Sequence, residues 1–134
     1  MDTPWTAQLP AAVPVDDLVA EAAIAGVTSA CCVFAADGVA YPERRGYAAL
    51  VVAYSREGEP VAVLDDGAAV LLIRDGGVAA AATVAKRILG QAARVGLDLE
   101  MRVGVAALGE SARAGIHAAR EAARTVSPGR IAAA

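Results

Sequence analysis

Two kinds of apolar pattern alternate along the chain. The first is short and nearly continuous. Residues 28–36, 60–64 and 68–73 are β-prone and apolar at almost every position, and in 100–108 Met101, Val103 and Val105 alternate against Arg102. Strands that read this way are covered on both faces or lie centrally in a sheet. The second kind recurs at helical spacing. In 78–95, Ala81, Val84, Ala85, Ile88, Ala92 and Val95 form one stripe, with Arg87, Gln91 and Arg94 on the other side. In 110–125 the apolar face is Ala112, Ile116, Ala119 and Ala123.

Punctuation between the runs sharpens the reading. Pro14 before Asp16 and Asp17, with Gly26 after, predicts a helix over 15–25, since carboxylates suit the positive end and Gly the position after the last turn. Asp65-Asp66-Gly67 between two apolar runs predicts a hairpin, because Gly accepts the positive φ of a tight turn. The stretch 42–57 admits two readings. Tyr47, Leu50, Val51 and Tyr54 fit a helix, whereas 49–54 is also β-prone; length and the flanking Pro42 and Gly58 favour the helix. Ser127-Pro128-Gly129 stops the last helix, and 130–134 adds a short edge strand.

The predicted order is helix, β-α-β-β-α-β, helix. That is an α/β fold, an α+β sandwich with a ferredoxin-like or palm core, an antiparallel sheet with helices packed on a face, and extra terminal helices. Residues 1–14, with Pro4, Pro10, Pro14 and Trp5, read as an irregular arm, and 15–134 as one domain.

Composition changes this picture little. The apolar share of 57% and mean hydropathy of +0.48 owe much to Ala, which buries little area. A net charge of −3 argues against nucleic acid, because phosphate contacts need a basic surface. The longest uncharged stretch, 22–36, is too short to span a bilayer, and no basic segment precedes an apolar one at the N-terminus. A cytoplasmic protein is expected, with no membrane partner. Cys31 and Cys32 are adjacent, so in a strand they point to opposite faces; buried reduced thiols are expected rather than a disulfide or metal site.

Two groups of residues are candidates for chemistry. Asp65 and Asp66 sit at the hairpin tip, where Asp is also a favoured turn residue because its side chain bonds nearby amides. Arg113, His117, Arg120 and Arg124 recur along one side of the last helix. That stripe is either a solvated face, with Glu110 and Glu121 as counterweights, or a site for an anion such as a nucleotide phosphate.

Several segments, in order, resemble class III nucleotide cyclases. Leu64-Asp-Asp-Gly67 is similar to the Gly-Asp-Gly-like turn of that family's hairpin. Arg102-Val-Gly-Val-Ala106 with Gly109-Glu110 is similar to its Arg-Ile-Gly-Ile strand and following Gly-Glu. Ala118-Ala-Arg120 and Ser127-Pro-Gly-Arg-Ile131 are similar to its Ala-Ala-Arg helix and closing Pro-Gly-x-Ile strand. The related GGDEF diguanylate cyclase domains share this core, and the hairpin also resembles a worn GGDEF turn.

The resemblance implies a pair of carboxylates holding divalent ions against a nucleotide triphosphate. Asp66 falls on one of those positions. The other falls on Ala35 or Ala36, with Asp37 at least one residue late; an active site would need Asp37 to swing towards Asp66. The family's base-reading Lys falls on Ala62, and its last-helix Asn has no counterpart in a chain without Asn. In the GGDEF alignment, Asp65-Asp-Gly-Ala-Ala69 loses the acidic pair, and no Arg-x-x-Asp inhibitory motif precedes it. The implied function is a catalytically inactive cyclase-like regulatory or interaction domain, homodimeric or bound to another protein. A nucleotide would meet Asp66, Arg113, His117, Arg120 and Arg124. No catalytic residue and no cofactor is expected, except Mg²⁺ brought with a nucleotide. Two alternatives stand: an active cyclase using Asp37 and Asp66 as metal ligands, and a roadblock- or PAS-like scaffold without a nucleotide.

Overall fold

The computed structural model describes residues 12–109 and 111–134. Trp5 and most of the expected arm lie outside the described residues, as does Glu110. The element order is α1 (Val15–Ala25), β1 (Ala30–Ala35), α2 (Tyr41–Tyr54), β2 (Val61–Val63), β3 (Ala69–Ile73), α3 (Gly77–Ala93), a 3₁₀ turn (Asp98–Glu100), β4 (Arg102–Ala107), α4 (Ala112–Thr125) and β5 (Ile131–Ala133). The ambiguous stretch is a helix, with Pro42 in its first turn. It ends at Tyr54 with Ser55 as its cap, so Gly58 lies in the turn beyond.

The strands lie in the order β2-β3-β1-β4-β5. The four core strands pair antiparallel, as expected of the ferredoxin-like arrangement, while β5 joins β4 in parallel. The sheet is therefore mixed. Helices cover both faces rather than one, which is why the strands are apolar without alternation. On one face Cys32, Phe34, Leu71 and Val105 pack against Val51 of α2 and Ala81, Ala85 and Ile88 of α3. On the other, Cys31, Val33, Val70 and Leu72 pack against Leu18 of α1 and Ile116, Ala119 and Ala123 of α4. The two cysteines are free, buried and divided between the faces, as adjacent strand residues must be.

One end of the α3 stripe departs from its spacing. Val95 is 56% exposed, because α3 ends at Ala93 and the turn that follows carries Val95 off the helical register. Arg87 leaves the solvent side. It donates two hydrogen bonds to the Glu59 carboxylate, at 2.7 and 3.1 Å, and one to the Tyr54 carbonyl, tying α3 to the segment between α2 and β2.

Two features set the geometry at the C-terminal end of β1. The register Phe34↔Ala69 places the β2–β3 turn beside the residues that leave β1. On the second face, α4 crosses β4 at Gly104, where a Cβ atom would lie 1.8 Å from the Ala119 carbonyl oxygen. Only a glycine allows that approach. It brings the next residue, Arg120, down onto the sheet. At the sheet's opposite edge, the Val13 amide donates to the Val61 carbonyl at 2.8 Å, laying the chain before α1 along β2.

Candidate functional site

The hairpin turn forms as its residues dictate. Gly67 takes φ +89°, its amide donates to the Leu64 carbonyl, and the Leu64 amide donates to the Ala68 carbonyl. Asp66 Oδ1 accepts from the Ala68 amide at 3.0 Å, a turn bond typical of Asp. Asp65 is exposed, whereas the other Asp66 oxygen points under α4.

Asp37 turns the same way. A one-residue slip within a strand would have put it on the wrong face. However, β1 ends at Ala35, and the loop beyond no longer obeys strand alternation. Asp37 and Asp66 therefore converge, but on Arg120. The Arg120 guanidinium donates from Nη2 to Asp37 Oδ1 at 2.5 Å, from Nη1 to Asp37 Oδ2 at 3.1 Å, and from Nε to Asp66 Oδ2 at 2.8 Å. Its side chain is only 7% exposed, against 23% for Asp37 and 35% for Asp66. Placing Arg120 on a solvated stripe is thus corrected: the close crossing of α4 at Gly104 buries it.

A second arginine, which the sequence did not single out, completes the arrangement. Arg44 on α2 donates to three backbone carbonyls, those of Asp66 at 2.8 Å, Val39 at 3.2 Å and Asp37 at 3.4 Å. It binds the β1–α2 loop to the hairpin turn through the main chain, where Arg120 binds them through side chains. The helical reading of 42–57, with Arg44 in its first turn, was the available signal.

The remaining stripe residues separate. Arg124 pairs with Glu121 at 2.7 Å and lies 3.8 Å from Asp66. Arg113 pairs with Asp16 on α1, at the surface. His117 is exposed. Arg113, His117 and Arg120 still share one feature, a cleft of about 210 Å³ floored by Val15, Leu64 and Ile116. It lies between α1, the hairpin and α4.

Electrostatically, burial alone would push the Asp37 carboxyl up. The hydrogen bonds and charge of Arg120, with Arg44 and Arg124 nearby, outweigh it and hold the group below its ordinary value. Burial acts to lower Arg120, and Asp37 and Asp66 more than reverse that. Three guanidiniums, from Arg44, Arg120 and Arg124, gather around Asp37 and Asp66, and Glu121 balances Arg124. Among the described residues, no group of three or more His, Cys, Asp or Glu side chains is placed to hold a metal ion. No helix among them is long and apolar enough to cross a membrane.

No family model matches the sequence, and no curated protein matches it. Solved structures do. The GGDEF domain of PA1120 (YfiN or TpbB) from Pseudomonas aeruginosa is similar at a TM-score of 0.62 and 16% identity, covering 90% of this chain and 92% of that one. The coiled coil and GGDEF domain of DgcB from Caulobacter crescentus, solved in complex with c-di-GMP, is similar at a TM-score of 0.63 and 16% identity, covering 90% and 78%. The five-stranded sheet with a helical layer on each side is the fold of GGDEF domains.

Proposed function

We propose that this chain is a catalytically inactive, cyclase-like regulatory module of the cytoplasm that binds a nucleotide and acts through association, as a homodimer or with another protein. The observation that carries this reading is the seat of Arg120 between Asp37 and Asp66. Metal-assisted phosphoryl chemistry needs carboxylates free to hold a cation against the phosphates. Here both are engaged by one side chain of the same domain, Arg120.

Nucleotide binding is favoured by the side chains of the neighbouring cleft. Arg113 and Arg120 line the cleft between α1, the hairpin and α4, and guanidinium forks suit phosphate oxygens. His117 adds a polar group beside them on α4, while Val15, Leu64 and Ile116 offer an apolar wall. A base or ribose lies against such a wall with its phosphates towards the arginines. That DgcB was solved with c-di-GMP makes cyclic dinucleotides one class to try.

Melting curves against ATP, GTP, cAMP, cGMP and c-di-GMP, with and without Mg²⁺, test the reading. At least one nucleotide is expected to raise the melting temperature, and Arg113→Ala/His117→Ala is expected to reduce that rise. No cyclic product is expected from ATP or GTP. Formation of a cyclic product would refute the inactive assignment, and the absence of any shift would refute nucleotide binding. Association is tested separately by sedimentation, where a strictly monomeric species that captures no partner counts against it.

A further inference from the structure

The divalent cation that a cyclase-like fold implies does not fit this site. Such an ion takes about six or more oxygen ligands at roughly 2.0–2.6 Å. The oxygens near Asp37 and Asp66 are already occupied. Both Asp37 carboxylate oxygens and Asp66 Oδ2 accept from Arg120, and Asp66 Oδ1 accepts from the Ala68 amide. The carbonyls of Asp37, Val39 and Asp66, which would otherwise complete a coordination shell, accept from Arg44. Two guanidiniums therefore hold three of the four carboxylate oxygens of Asp37 and Asp66 and three carbonyls of the two loops.

We propose that Arg120 is a resident replacement for the cation: a covalently tethered counter-ion that holds the β1–α2 loop against the hairpin, so that this end of the domain is built without metal. The physical case rests on what an arginine and a divalent ion share. Each bridges two carboxylates that would otherwise repel, and each fixes their orientation through several directed contacts. They differ in permanence. A guanidinium stays charged at every pH that proteins survive and cannot dissociate. A metal-built site responds to chelators and to ion concentration, whereas this one should respond to neither. The seat of Arg120 is also specific. The approach of Ala119 to Gly104 fixes where α4 crosses the sheet, and Arg120 is the side chain that the crossing delivers to both carboxylates.

The test uses metal alone, so it stands apart from the nucleotide experiment and either can fail without the other. The wild-type melting temperature is expected to be the same in EDTA as in millimolar Mg²⁺, Mn²⁺ or Ca²⁺. The spin-resonance signal of free Mn²⁺ should be undiminished when the wild-type protein is added. Arg120→Ala is expected to melt on the order of 10 °C lower in EDTA. It should recover part of that loss in Mn²⁺ or Ca²⁺, as an ion enters the vacated place between Asp37 and Asp66. Asp66→Asn added to Arg120→Ala should abolish the recovery. A cation-dependent rise in the wild type, or a loss of its Mn²⁺ signal, overturns the proposal. So does an Arg120→Ala protein that no cation restores, or a recovery that persists after Asp66→Asn.

Discussion

Arg120 and Asp37, 83 residues apart in the chain, meet through two parallel hydrogen bonds at the end of the central strand. Parallel bonds between a guanidinium and a carboxylate are the strong form of this contact. Removing one partner leaves the other charge partly buried. Arg120→Met alone is expected to cost about 3 kcal/mol, since it strands both Asp37 and Asp66. Asp37→Asn should cost less, because Arg120 keeps Asp66. Urea unfolding of the two single variants and the double variant should give a coupling energy of about 1–3 kcal/mol. Additivity within about 0.3 kcal/mol would mean that the contact is not formed in solution.

Gly104→Ala tests the crossing that delivers Arg120. The new methyl group would meet backbone atoms, the Ala119 carbonyl at 1.8 Å and the Ala123 nitrogen at 2.8 Å, and neither is the end of a flexible side chain. Helix and sheet must separate. A loss of about 3 kcal/mol is expected, at the upper end of ordinary overpacking. Calorimetry would show a melting temperature lower by on the order of 10 °C. A melting temperature equal to that of the wild type would show that α4 stands further from β4.

Acid should unfold the domain through two carboxylates in particular. Asp37 and Glu59 are both pushed up by burial, yet Arg120 and Arg87 respectively outweigh that and hold them below their ordinary values. Folding then binds protons less tightly than the unfolded chain does. The stability from these pairs is complete above the unfolded carboxylate range and is lost as pH falls through the depressed folded values. The melting temperature should be level from neutral pH to about 5 and fall steeply below about 4. The variant Asp37→Asn/Glu59→Gln should start lower and fall less. A wild-type melting temperature unchanged down to about pH 3 would contradict the linkage.

Both thiols should be inert in the folded protein. Burial pushes Cys31 up to about 12 and Cys32 higher still, and the Cys32 thiol donates to the Ala81 carbonyl at 3.0 Å. The thiolate is the reactive form, so an aromatic disulfide reagent at mildly alkaline pH should label neither cysteine until denaturant is added. Rapid labelling of native protein would place a thiol at the surface.

Much of the architecture was legible because its signals are local. Pro14, the Asp16-Asp17 pair and Gly26 bound α1 at its observed ends. Asp65-Asp66-Gly67 marked the hairpin, and the unbroken apolar strands implied cover on both faces, although the helices were expected on one. The site was harder to read because its signals are not local. Periodicity places Arg120 with Arg113, His117 and Arg124, and nothing on α4 alone separates them. The distinction lies on β4, where a glycine inside a strand signals close backbone approach. Asp37 lies beyond the end of β1, where strand alternation no longer says which way a side chain turns. Arg44 makes its bonds to main-chain carbonyls, which carry no residue-specific signal.

The bond from the Val13 amide to the Val61 carbonyl also bears on how the protein behaves when concentrated. A sheet whose outermost strand is bare offers a template onto which another molecule can add, and such additions lead to aggregates. The chain just before α1 covers part of the β2 margin at the cost of a few residues. Removing the chain up to Val13 should leave the helical content of the domain intact while making its solutions turbid on storage.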